Sequence, residues 1–197
     1  MTRRERARHL YRVITSERFL ARRGPGNEVP FFICPFPAQE GLTMMEDRLD
    51  LIRQIRQHTP VQVLDLSLYD ISLDLLRERG ILECVLEREP DMDRSALREL
   101  LQGVLDVRDH LIPKIAESVA ATPPDVMFLS GVGEVYPYIR AHNVLNNLQG
   151  TARDWPTVLF FPGSYTISAA TGGSLNLFGV LQGDRYYRAF NILNYET

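Results

Sequence analysis

The segment F-L-S-G-V-G-E-V-Y-P-Y-I-R-A-H-N-V-L-N-N-L-Q (residues 128–149) decides how this chain is read. Together with the two residues before it, it opens on the apolar run V-M-F-L (126–129), which suits a strand buried on both faces of a sheet. Gly131 and Gly133 then supply a tight turn, because glycine tolerates positive φ. A helix is expected over 136–148, with Pro137 in its first turn, where a missing N–H breaks no helical bond. Strand, glycine turn and helix form the junction at which open α/β sheets build their sites.

The same alternation recurs outward from this segment. Ala7, Leu10, Tyr11, Ile14 and Phe19 recur at helical spacing and predict a helix over 3–22. The breaker cluster 24–27 ends it, and 29–34 (V-P-F-F-I-C) reads as a buried strand. A helix over 42–57 carries Leu42, Met45, Leu49, Ile52 and Ile55 as its apolar stripe. A strand over 61–68 and two helices within 71–89 follow. The pattern 93–121 predicts one long helix, kinked at Pro113.

Downstream, 157–161 (T-V-L-F-F) is a buried strand closed by Pro162 and Gly163. Runs 174–181 and 186–193 around Q-G-D-R (182–185) signal a hairpin. The expectation is a single α/β domain with a mostly parallel open sheet, helices on both faces and a C-terminal antiparallel hairpin. A basic helix over 1–23 precedes the α/β domain at 24–197.

With 197 residues, 45% of them apolar, the chain is long enough to bury a core. No apolar run approaches the roughly 18 residues that span a bilayer. The arginine-rich start lacks the apolar region of a secretory signal. A cytoplasmic protein without membrane partners is expected. Cys34 and Cys84 lie in apolar segments and read as small core residues. Residues 1–23 hold eight arginines and two glutamates, a net of +6, which leaves −9 for the rest. The arm thus suits an anionic partner such as nucleic acid, or the chain's own acidic surface.

Catalytic chemistry is not assembled by these residues. Segment 34–43 stands where a phosphate loop would, but G-x-x-x-x-G-K-[ST] is absent and the only lysine is Lys114, in mid-helix. Hydrolysis fails for want of that cation, which leaves open a degenerate P-loop NTPase-like fold that binds nucleotide or phosphate without hydrolysis. The turn at Gly131 and Gly133 begins like G-x-G-x-x-G, yet Tyr136 fills the third glycine position. It remains a candidate anion turn, although Glu134 would repel an anion. Arg140, Asn143 and Asn147 share one face of the predicted helix, flanked by His142 and Asn146, and offer hydrogen bonds. Ser130 and Ser164 lie outside G-x-S-x-G. His9, His58, His110 and His142 are scattered, which disfavours zinc. Asp65, Asp70 and Glu134 are carboxylates at predicted strand ends. The run Y-Y-R-A-F (186–190) mixes aromatic and basic residues as single-strand nucleic-acid binders do.

Four stretches resemble the BrxB family of bacteriophage exclusion (BREX) systems: the opening segment, P-T-V-L-F-F-P-G-S-Y-T (156–166), L-F-G-V-L-Q-G-D-R-Y-Y-R-A-F-N-I (177–192) and, upstream, R-G-P-G-N-E-V-P-F-F-I-C (23–34). The resemblance spans nearly the whole chain. It implies a role in phage restriction beside an adenine DNA methyltransferase, a large ATPase and the phosphatase-like protein PglZ. It implies no catalytic residues, cofactor or metal. The expectation is therefore a non-enzymatic adaptor with PglZ as the favoured partner. Such a protein exposes an apolar or aromatic patch rimmed by polar groups. Phe36, Tyr136, Tyr138 and Tyr165, with the helix bearing Arg140, Asn143 and Asn147, are the candidates for it.

Overall fold

A computed structural model describes residues 1–23, 30–152, 154–168, 172–185 and 189–196. In chain order these form α1 (Arg3–Ile14), α2 (Glu17–Leu20), β1 (Phe31–Phe36), α3 (Gly41–His58) and β2 (Val63–Ser67). Next come α4 (Leu68–Glu78), α5 (Leu82–Arg88), α6 (Arg94–Val104), α7 (Ile112–Ala121), β3 (Val126–Ser130) and α8 (Ala141–Leu148). The chain closes with β4 (Thr157–Ser168), β5 (Gly172–Leu177), β6 (Leu181–Arg185) and β7 (Phe190–Asn191).

The sheet runs β2-β3-β4-β1-β7, with every neighbouring pair parallel. Side chains alternate between its two faces, and both are covered. Phe31, Ile33, Met127, Leu129, Leu159 and Phe161 join one core cluster with residues of α4 to α8. Phe32, Cys34, Val63, Phe128, Val158 and Phe160 join a second with residues of α1, α2 and α3. This is why the strands read as unbroken apolar runs. The α/β class, the parallel sheet and the terminal antiparallel pair are as expected.

Several boundaries differ, each for a local reason. The first helix breaks at Ser16, whose hydroxyl accepts from the Phe19 amide and starts α2. The long helix breaks before Pro113, not at it. Asp106 accepts from the Asp109 amide at 2.8 Å and opens a π-helical turn, Val107–Leu111. Pro113 then lies in the first turn of α7, where it costs no hydrogen bond.

The helix expected from 136 begins only at Ala141, because Arg140 is extended; the Tyr136–Pro137 bond is cis. Pro162 and Gly163 do not close β4. There the strand leaves its parallel neighbour β1 and pairs antiparallel with β5. A Cβ at Gly163 would stand 2.1 Å from the Asn176 carbonyl oxygen, so glycine permits this close approach. The hairpin is β5–β6, turning at 178–180, so that 182–185 lies in a strand. Of the expected second arm, 186–193, residues 186–188 lie outside the described residues, and β7 pairs parallel with β1 instead of closing the hairpin. The breaker 24–27 also lies outside them.

Candidate functional site: an apolar cleft at the strand ends

The carboxyl ends of β1, β2, β3 and the parallel half of β4 open on a cleft of 660 Å³. This is the size of pocket that takes a small ligand or the anchor residues of a partner. Phe36 and Phe160, from adjacent strands, line it, with Phe36 buried. Ser67 at the end of β2 accepts from the Asp70 amide at 3.2 Å and so starts α4 beside the cleft. Gly131, at φ +83, turns the chain away after β3. A Cβ on Gly133 would stand 3.0 Å from the Phe178 ring, which lies against it as part of the cleft wall. Phe178 is itself held at φ +55, a conformation that aromatic residues seldom adopt.

The unusual property of the cleft is its wall. Leu42 is 78% exposed, Met45 47%, Tyr69 45% and Phe178 39%. All four line the cleft. The apolar stripe expected on α3 therefore divides. Ile52 and Ile55 are buried, with Met44 and Leu51, whereas Leu42, Met45 and Leu49 are not. The first turns of α3 flank the strand ends instead of covering the sheet, so only Met44 reaches the core there. Helical periodicity identifies an apolar face but not what it packs on.

The charged groups are sparse. Arg48 of α3, half-buried, is ion-paired to Asp65 of β2 and stacks its guanidinium 6.0 Å from the Phe160 ring centre. Burial pushes the Asp65 carboxyl above the usual carboxylate value, against the pull of Arg48. Asp70 and Glu134 are exposed at the cleft and make no ion pair among the described residues. Lys114 lies on α7, bonded to Glu78, and is not among the lining residues. Among the described residues no group of three or more His, Cys, Asp or Glu could hold a metal ion. None of their helices is long and apolar enough to cross a membrane.

The predicted site residues are thus divided. Phe36, Gly131 and Gly133 meet in the cleft. Tyr165 lines an adjoining groove of 440 Å³ that shares Phe36 and Phe178, but it is buried and donates its hydroxyl to the Ala189 carbonyl at 2.7 Å. Tyr136 and Tyr138 are half-buried against the core of α4 to α8. Arg140, Asn143 and Asn147 are exposed on and before α8, outside the cleft, and Asn147 bonds back to the Asn143 carbonyl at 2.8 Å. The turn at Gly131 and Gly133 has no helix directly behind it, so its amides lack the reinforcement that a helix N-terminus gives an anion site. Of Y-Y-R-A-F, Tyr186, Tyr187 and Arg188 lie outside the described residues; Ala189 is buried and Phe190 packs against the core. Cys34 is buried, as expected, but Cys84 is exposed. An apolar neighbourhood in sequence did not bury it, because the short helix α5 turns that side to solvent.

The family model described as BREX protein BrxB matches residues 64–192. A BREX protein BrxB of Bacillus cereus (strain H3081.97) is 31% identical over 194 residues, 96% of this chain and 97% of the relative. Another, of Escherichia coli O9:H4 (strain HS), is 31% identical over 180 residues, 91% of this chain and 86% of the relative. No solved structure matches the chain. The full-length similarity, together with the family match across β2 to β7, establishes that this chain belongs to the BrxB family of BREX proteins.

Proposed function

We propose that this BREX component is a non-catalytic adaptor of a phage-defence assembly, and that the cleft at the strand ends seats an apolar segment of a companion protein. The observation that carries this reading is the exposure of Leu42, Met45, Tyr69 and Phe178 around one cavity. Leaving such side chains in water forgoes roughly 25 cal/mol per Å² of apolar burial. A partner that covers them recovers it.

Charge narrows the occupant. Asp70 and Glu134 stand uncompensated at the cleft, while Arg48 is already spent on Asp65. An apolar segment with a lysine or arginine beside it fits; an acidic segment does not. The PglZ-like protein is the favoured donor of that segment and the large BREX ATPase the second. Co-purification of the tagged chain with the full set of companions tests this. Capture of one companion by the wild type, and its loss from Leu42→Asp/Met45→Asp, is expected. Retention of the companion by the double variant would place the contact elsewhere.

A second reading has one observation in its favour: parallel sheets bind nucleotides and phosphates at their carboxyl ends. The rim carboxylates and the absence of a lysine from the lining oppose it. A ligand at 100 times its Kd stabilises a protein by about 2.7 kcal/mol. A melting temperature unmoved by ATP, GTP or dinucleotides with Mg²⁺ removes this reading.

A further inference from the structure

The arginines of α1 fall into two sets. Arg3 and Arg6 turn toward α3 and the residue before it and are neutralised there: Arg3 by Asp47 at 2.6 Å and Glu46 at 3.3 Å, Arg6 by Glu40 at 2.9 Å. Arg4, Arg8 and Arg12 are exposed and have no ion pair among the described residues. At 100° per residue they cluster opposite the buried Arg6, Leu10, Val13 and Ile14. Spaced four residues apart, they form one row about 12 Å long. Like charges one turn apart repel and weaken a helix, so the row is a cost to the free protein.

We infer that this row is a binding face for the phosphate backbone of nucleic acid. Over about 12 Å of axis a DNA duplex presents about seven phosphates. Guanidinium groups bind phosphate through paired, parallel hydrogen bonds. Glu5, on the same face, accepts from the Thr2 amide at 2.7 Å in a helix cap and offsets part of the Arg8 charge, while among the described residues Arg12 has His9, at 3.4 Å, beside it, so the row keeps a net positive charge. The large apolar side chains of α1 are buried on its other faces, except Tyr11, which stands at the edge of the row and is half-buried because its ring packs against the core. The row therefore lacks the apolar centre that marks a protein interface, which favours a polyanion backbone over an acidic protein. Contact of this kind does not read sequence.

The test is fluorescence anisotropy of a labelled 20-base-pair duplex of arbitrary sequence with the full-length chain. Three neutralised phosphates give a log–log salt slope near −2.7, a loss of about 40-fold between 50 and 200 mM salt. Arg8→Ala alone should flatten the slope by about 0.9. Arg4→Ala/Arg8→Ala/Arg12→Ala should abolish binding, while Arg94→Ala/Arg98→Ala, altering exposed arginines of α6, leaves it intact. Circular dichroism melts establish that each variant is folded. Absence of duplex binding at 50 mM salt, or undiminished binding by the triple variant, would overturn the assignment. So would equal affinity for polyglutamate of matched charge, which would give the face to an acidic protein.

Discussion

A methyl group at Gly131 would stand 2.9 Å from the backbone nitrogen of Tyr69. The turn after β3 and the first turn of α4 thus meet without room for a side chain, and Gly131 also holds φ +83. The same contact sets Tyr69 on the cleft wall. Gly131→Ala combines an unfavourable backbone conformation with a clash against backbone and should destabilise the fold by about 1–3 kcal/mol. Urea denaturation would measure it. An unchanged midpoint would show that the turn is not held as described.

The two thiols should differ in reactivity. Burial pushes the Cys34 thiol up to about 12, so almost no thiolate forms at neutral pH, whereas Cys84 is exposed. A thiol-reactive dye should label one cysteine rapidly in the native protein and the second only on unfolding. Rapid labelling of both would contradict the burial of β1.

Asp65 gives a signed pH dependence. Its carboxyl titrates above the ordinary value of about 3.8 because burial disfavours the charge. Between the unfolded and folded values the native state holds the proton more tightly, so stability from this residue falls as pH rises. It is fully present below 3.8 and lost through the folded value. The stability of wild type relative to Asp65→Asn should therefore increase as pH is lowered across that window and be flat above it. A difference that grows with rising pH would show that the Arg48 pair outweighs the cost of burial.

Leu42→Asp/Met45→Asp should separate docking from folding. Leu42 is largely and Met45 about half exposed, so thermal stability should change by no more than about 0.5 kcal/mol per site. A large loss of stability would mean that this end of α3 belongs to the core after all.

The parallel sheet was legible because strands buried on both faces must be apolar throughout, as V-M-F-L and T-V-L-F-F are. The position of Phe36, Gly131 and Gly133 at the strand ends, where they line the cleft, was legible because strand ends and glycine turns are local signals. The wall of the cleft was not. Leu42 and Met45 repeat at helical spacing just as Ile52 and Ile55 do, and only the position of α3 against the strand ends separates them. Tyr165 was misplaced for a related reason. The strand continues past Pro162 with a new partner, which inverts the expectation of an exposed loop aromatic. The hairpin slipped because 178–180 and 182–185 both carry a turn glycine, and the choice between them is made by residues 163–168 of β4 pairing across. The arginine row was visible as charge, but its division into paired and unpaired members required the acidic residues of α3 to be placed.

On the proposed function, the apolar cleft is the surface through which this protein enters its assembly. The most direct measurement is the affinity of the purified chain for the purified PglZ-like companion by titration calorimetry, wild type beside Leu42→Asp/Met45→Asp. Losing a hot-spot residue at the centre of an interface costs about 2 kcal/mol or more, and Leu42 and Met45 hold that role in the proposed contact. At least a 30-fold weakening is therefore predicted, with the variant's fold intact. Equal affinity of the two proteins, or no binding by the wild type at micromolar concentration, would contradict it.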